Sequence, residues 1–316
     1  MRQRKSPDGG SIPPHPAGSE KYDLSWSDEQ KAWFWDVFRK DRFGFLFYFG
    51  CFFVGIYYFP DDGVEINHMD WEAREIVTVS LSILAAVTAV VSLYMSLFLV
   101  IPPAKSDVKW TYLKDNWNGV FGYLTTNILV AQMYYWPLCA FAETLRYYGY
   151  GSDSVIVRRL IHFVYSLSVW SGSFGMVLTI LFLKFCWFEP KWRTTVLEVL
   201  QQRGHKYVGP KNLFVHVNQL FIAFLDILVI KDRELLLKWT PSFKLIVLVN
   251  LLISITYVAS IHLNRYYSGH VPYPFLNVVL KSWKSELIFI LFVAFLIASC
   301  SAQLYFLANL KITNIF

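Results

Sequence analysis

The sequence predicts an all-α fold: a polytopic transmembrane helix bundle of seven spans, six core spans preceded by a short N-terminal one. Two observations predict it. Only 16% of the 316 residues are charged and 55% are hydrophobic, whereas soluble domains carry about 25% charge. The apolar residues are also gathered into long windows. Those at 76–104, 116–142, 160–183, 212–230, 245–264 and 287–310 contain no Lys, Arg, Asp or Glu except Asp226. Each supplies the ~20 apolar residues that a helix needs to cross a bilayer with its backbone bonded internally.

The chain divides into a cytoplasmic segment, 1–42, and the transmembrane bundle, 43–316. The first residues, MRQRKSPDGGSIPPHPAGSEKYD, are rich in Pro, Gly and charge and read as a disordered tail. In SDEQKAWFWDVFRKDRF, Ser27 is a candidate N-cap with Glu29 and Gln30 close behind. Its Trp, Phe and Lys/Arg content suits an interfacial helix on the membrane surface. The strongly aromatic run FGFLFYFGCFFVGIYYF at 43–59 follows, at the lower length limit for a span. It either crosses or lies in the interface. No cleavable signal peptide is expected, because the first apolar run begins too late. Cys51, Cys139, Cys186 and Cys300 all fall in or beside apolar runs and read as small core residues rather than disulfides.

Lys and Arg set the orientation. With seven spans and the N-terminus in the cytoplasm, 20 of them fall inside and 9 outside. If 43–59 does not span, the split becomes 17 against 12, so the bias favours seven. The net charge of +6 follows from this distribution and from anionic lipid, and is no argument for nucleic acid. There is no internal repeat, glycine-rich phosphate loop, CxxC or HExxH. The N-in, C-out orientation is opposite to that of G-protein-coupled receptors, and 287–310 lacks the lysine a retinal protein would need.

The informative residues are the polar ones within the spans, since ionisable groups at membrane depth are costly unless they face the bundle interior. At 100° per residue, Asn212, His216, Gln219 and Asp226 fall within an arc of about 80°, with Asn218 pointing elsewhere. Thr125, Gln132 and Cys139 share a face of the third span, from which Thr126 and Asn127 turn away. The depths of Thr125 and His216, both in the cytoplasmic half, let them meet if their helices are neighbours. His162 and His262 lie at other depths, so the histidines do not compose a zinc site, and neither metal nor cofactor is expected. A stripe of this kind either bonds helices together or carries chemistry.

NLFVHVNQLFIAFLD (212–226), followed by a span and then YYSGHVPYPFLN (266–277), resembles the androgen-induced gene family of multipass membrane proteins. The matching positions are Asn212, His216, Asp226, Gly269, Tyr273, Pro274 and Phe275, with Asp226 standing where the family commonly has Glu. YLTTNILVAQ (123–132) resembles the family's Leu-Thr segment, with Gln132 at a matching place. The resemblance covers roughly residues 75–316. Characterised members are intramembrane threonine hydrolases that cleave fatty acid esters of hydroxy fatty acids. The resemblance therefore implies Thr125 as nucleophile, His216 as base, and membrane lipids and a fatty-acyl ester as partners. It implies an integral protein of the endoplasmic reticulum, endomembrane system or plasma membrane. A rival alignment uses WTYLK (110–114) and puts Lys114 at the nucleophile position, which would remove the catalytic threonine. The related rolling stone family, implicated in myoblast fusion, implies instead a non-catalytic adhesion or signalling component.

On the hydrolase reading, a threonine hydroxyl needs an adjacent base, and His216 is the stripe's one suitable group. Asn212 or Gln219 would orient the ring or donate to the oxyanion. Asp226 lies about 15 Å along the helix axis from His216, too far for a third triad member, and reads as structural.

Overall fold

A computed structural model describes residues 28–61, 73–100, 121, 123–150, 154–190, 193, 207–269, 271, 273 and 276–312. The helices are α1 Asp28–Tyr58, α2 Ala73–Val100, α3 Leu124–Tyr147, α4 Val155–Phe182, α5 Val208–Leu225, α6 Arg233–Trp239, α7 Phe243–Ser268, α8 Leu276–Val279 and α9 Trp283–Ile312. There is no strand among the described residues. Five helical stretches are long and apolar enough to cross a membrane: Glu75–Ser96, Val155–Phe185, Val208–Ile230, Phe243–Ser268 and Trp283–Leu310. The chain is thus all-helical, as a multipass membrane protein requires. Lys114 lies outside the described residues, as do Pro274 and Phe275.

α1 joins the helix expected after Ser27 to the aromatic run at 43–59 without a break. Two of its three glycines serve close contact, while Gly50 has open space beside it. A side chain at Gly44 would collide with the Phe121 ring, and one at Gly55 would begin 2.7 Å from the Phe163 ring. Tyr48 donates to Asn127 Oδ1 at 3.0 Å, and Phe52 meets Phe163 edge-on at 5.9 Å, so α1 lies along α3 and α4.

The core packs through small residues. α2 buries Ser82, Ala85, Ala89 and Ser92 on one face, each at most 2% exposed. Such a face lets another backbone approach closely where aqueous burial cannot drive association, and α2 packs most extensively against α3. α4 is the central helix, touching α1, α3, α5, α6, α7 and α9. At Gly172 a Cβ would begin 2.7 Å from Leu304 of α9 and 3.2 Å from Ala223 of α5. Asn250 of α7, fully buried, donates to Ser173 of α4 at 3.1 Å and to Ser301 of α9 at 2.9 Å. Large apolar side chains face outward from α7 (Leu245, Leu248, Leu252, Ile255) and α9 (Leu287, Ile288, Leu291, Phe295). That surface fits acyl chains better than water.

Two helix ends widen into π-turns, Leu183–Trp187 after α4 and Asp226–Ile230 after α5. The second matters for charge placement. Residues five apart lie about 140° apart on an α-helix. The wider turn, closed by the Lys231 N–H donating to Asp226 O at 2.9 Å, swings Asp226 and Lys231 to one side. Their charged groups then stand 3.7 Å apart.

Of the cysteines read as core residues, Cys300 is buried in the main core, whereas Cys51 is exposed. Cys139 is buried, but its sulfur meets Lys231 Nζ at 2.7 Å, within a cluster of charges.

Candidate functional site

Thr125 is the second residue of α3 and His216 lies two turns into α5; both helices pack against α2 and α4 and run in the same direction, as the Thr125–His216 and Tyr135–Asp226 contacts show. Thr125 Oγ1 stands 3.3 Å from His216 Nε2. The other ring nitrogen settles the direction of that bond. Nδ1 lies 2.8 Å from the carbonyl oxygen of Asn212, which can only accept, so Nδ1 carries the proton. In the neutral ring Nε2 is then an acceptor, and the Thr125 hydroxyl donates to it. The Phe182 ring of α4 stacks on the imidazole at 4.0 Å and 11°. Thr179 Oγ1 donates to the His216 carbonyl at 2.6 Å. Ring plane, tautomer and backbone are each held by a different contact. Thr125 and His216 are both only partly buried as residues.

Tyr273 completes this end. Gly269, at φ +73° in the left-handed region, ends α7, and beyond this reversal Tyr273 returns to the first turn of α3. Its hydroxyl accepts from the Thr125 amide at 3.4 Å and lies 3.4 Å from Thr125 Oγ1. The first amides of a helix lack intrahelical acceptors and carry the positive end of its dipole.

The stripe read from the sequence divides here. Asn212 positions His216, but through its backbone carbonyl rather than its side chain. Gln219 is buried and its amide donates to Asn218 Oδ1 at 2.7 Å. Asn218, off the stripe, donates to Ser92 of α2 at 2.8 Å. Asp226 is bonded to other helices, accepting from Tyr135 at 2.9 Å and from Ser168 at 2.5 Å. His262 meets Glu286 at 2.5 Å, and His162 stacks on Trp239 with ring centroids 4.7 Å apart.

Around Asp226 stands an ion cluster that the charge count assigned to loops. Lys231, fully buried, lies 3.7 Å from both Asp226 and Glu143. It also sits over the Tyr165 ring, 4.6 Å from the centroid. Arg146 meets Glu143 at 3.3 Å, Tyr165 at 3.0 Å and Asp232 at 2.9 Å. The signal was present: Glu143 and Arg146 are three residues apart and so share a face, at the end of α3, and Lys231 and Asp232 follow the apolar run of 212–230. Tyr273 was visible only through the family resemblance, because a loop residue has no periodicity to place it.

Asp232 lies past the end of the candidate span Val208–Ile230 and caps α6, accepting from the Glu234 and Leu235 amides. Burial pushes its carboxyl up, but the Arg146 guanidinium and the two amides outweigh burial and hold it below the usual carboxylate range. A depressed carboxylate contributes stability above its unfolded value and loses it as pH falls through the folded value. Asp232→Asn is expected to lower the melting temperature in detergent at neutral pH. The gap from wild type should close only below about pH 4; a gap constant across that range contradicts this account.

No family model, curated protein or solved structure matches the chain. The fold and the site therefore define a class by themselves: an all-helical bundle of the membrane type, with a hydroxyl–imidazole pair at one end and an ion cluster at the other.

Proposed function

We infer that the protein is an intramembrane lipid-ester hydrolase, with Thr125 as nucleophile and His216 as general base. The observation that carries the reading is the 3.3 Å contact from Thr125 Oγ1 to an Nε2 whose lone pair is aimed by the Asn212 carbonyl. A nucleophile within hydrogen-bond reach of a base that a third group orients is the arrangement nucleophilic catalysis requires. Thr125 Oγ1 attacks the ester carbonyl carbon as Nε2 takes its proton. The oxyanion forms beside the Tyr273 hydroxyl and the first amides of α3. His216 returns the proton to the departing alkoxide, and water then cleaves the acyl-threonine by the same route. The substrate class, a fatty acid ester of a hydroxy fatty acid, comes from the family resemblance. The outward-facing apolar helices suit its approach from the bilayer.

The same reading takes α1 and α3 as two further spans, for seven in all with the N-terminus cytoplasmic. It places the protein in the endomembrane system or plasma membrane. Glycosylation acceptors inserted at 150 and 240 are expected to be modified and those at 190 and 270 not; the reverse pattern overturns the orientation.

Labelling by a fluorophosphonate probe in membranes tests the chemistry. Labelling of the wild type, lost in Thr125→Ala and in His216→Ala, is the expected result. Tyr273→Phe should keep labelling but slow turnover by about tenfold or more, as removal of one oxyanion donor does. The competing reading, a non-catalytic component of rolling-stone type, draws on the same contact, since a hydroxyl–imidazole bond also ties two helices together. A well-folded wild type that hydrolyses no lipid ester and takes up no probe decides for it.

A further inference from the structure

The hydrogen bonds at the start of α3 run in one direction. His216 Nδ1 donates to the Asn212 carbonyl, so Nε2 takes the Thr125 proton. Thr125 Oγ1 then has only lone pairs to offer the Tyr273 hydroxyl 3.4 Å away, and the Tyr273 proton points to Thr125. Tyr257 of α7 is hydrogen-bonded to the Tyr273 side chain. With the Tyr273 proton already placed, Tyr257 is the donor in that bond and Tyr273 Oη the acceptor. Tyr257 in turn accepts from the Leu124 amide. The order is thus Leu124 N–H, Tyr257, Tyr273, Thr125, His216 and the Asn212 carbonyl, with a proton donated at each step along the chain.

Nothing local to α3 supplies these bonds. The first amides of a helix have no intrahelical acceptor, and Tyr123, the residue before α3, makes no capping bond through its side chain. The Leu124 and Thr125 amides are met instead by two tyrosine oxygens, one from α7 and one from beyond Gly269. Tyr257 lies about three turns before Gly269, so its bond to Tyr273 holds the returning segment against α7. The Tyr123 ring packs edge-on against Tyr273 at 5.6 Å. A hydroxyl that receives a hydrogen bond becomes a better donor, because the bonds of a chain polarise one another. We propose that Tyr257 is a positioning residue of the hydrolytic site: its proton on Tyr273 Oη commits Tyr273 to donate toward Thr125 and toward the oxyanion that forms on the substrate. The role rests on the hydrolase reading. It is exerted through Tyr273 alone, which sets Tyr257 apart from a cap that merely holds α3 in place.

Steady-state hydrolysis of a fatty acid ester of a hydroxy fatty acid, by the full chain in proteoliposomes, tests this. Tyr257→Phe should lower kcat by about two- to tenfold, the loss of one hydrogen bond, with KM unchanged. In a Tyr273→Phe background the same change should lower kcat no further, because the group it acts through is gone. An unaltered kcat in Tyr257→Phe overturns the proposal, as does equal slowing in both backgrounds, the mark of a cap. Should Tyr257→Phe not fold, Tyr257→3-fluorotyrosine keeps the ring and hydroxyl and makes the hydroxyl a stronger donor. That variant should raise kcat. A cap, whose oxygen would then accept more weakly from Leu124, leaves kcat unchanged or lowered, and either result overturns the proposal. A wild type that hydrolyses no ester overturns the hydrolase reading and this role with it; an active wild type beside a full-rate Tyr257→Phe overturns this role alone.

Discussion

Thr125→Ala and His216→Ala are each expected to reduce lipid-ester hydrolysis by at least about a thousandfold, because a base-activated nucleophile loses its function when either member is removed. The double variant should be hardly slower than either single one, since the two groups act as a unit. Thr125→Ser should retain measurable turnover: it keeps the hydroxyl at 3.3 Å from Nε2 and deletes only a methyl. His216→Gln separates chemistry from packing, for its amide can still bond across to α3 but is no base near neutral pH. Full activity in Thr125→Ala, with hydrolysis measured on a fatty acid ester of a hydroxy fatty acid in proteoliposomes, would sink the assignment. Activity preserved in His216→Gln but lost in His216→Ala would leave the histidine a helix tie and nothing more.

The largest effect on stability is expected at the opposite end of the bundle. Lys231 is fully buried and lies 3.7 Å from both Asp226 and Glu143. Lys231→Met keeps most of the side-chain volume and deletes the charge, leaving the two carboxylates with Arg146 as their nearest compensation. Breaking a buried ion pair from one side costs about 3–5 kcal/mol, because the surviving charge stays desolvated. Neutralising that charge should restore much of the loss. Asp226→Asn added to Lys231→Met is therefore expected to recover about half or more of it, since Asn still accepts from Tyr135 and Ser168. Denaturation in mild detergent, followed by the exposure of buried Cys139 to a thiol reagent, measures both. A Lys231→Met protein as stable as wild type would mean that the cluster is neutral or hydrated. Additive losses in the double variant would mean that Asp226 and Lys231 do not interact.

These two sites were unequally legible in the sequence. Apolar windows, helical class and the stripe on the fifth span came from composition and from the 3.6-residue period, which depends on nothing beyond the local chain. The juxtaposition of Thr125 and His216 was legible as depth: residues equally far into two spans lie at one level in the bundle. What depth leaves open is which helices are neighbours and which way they are turned. Asp226 shows the difference. Ideal helical spacing put it on the stripe, but the π-turn at Asp226–Ile230 rotates Lys231 onto its side, and no residue type in DILVI signals a widened turn. Arg146 and Lys231 were counted by sign as loop charges, although each is largely buried.

By itself the sequence determined the helical class, the membrane-length segments and the residues worth watching, because hydrophobicity and period are properties of the chain at each point along it. Only the tertiary structure decided that a backbone carbonyl rather than the Asn212 side chain sets the tautomer of His216, and that Tyr273 returns to Thr125 from another helix end. It alone decided that the side-chain oxygens of Gln132 and Gln219 end up buried without donors. Hydrogen bonds act over about 3 Å and depend on angle, so their partners exist only once the helices have chosen neighbours and rotations.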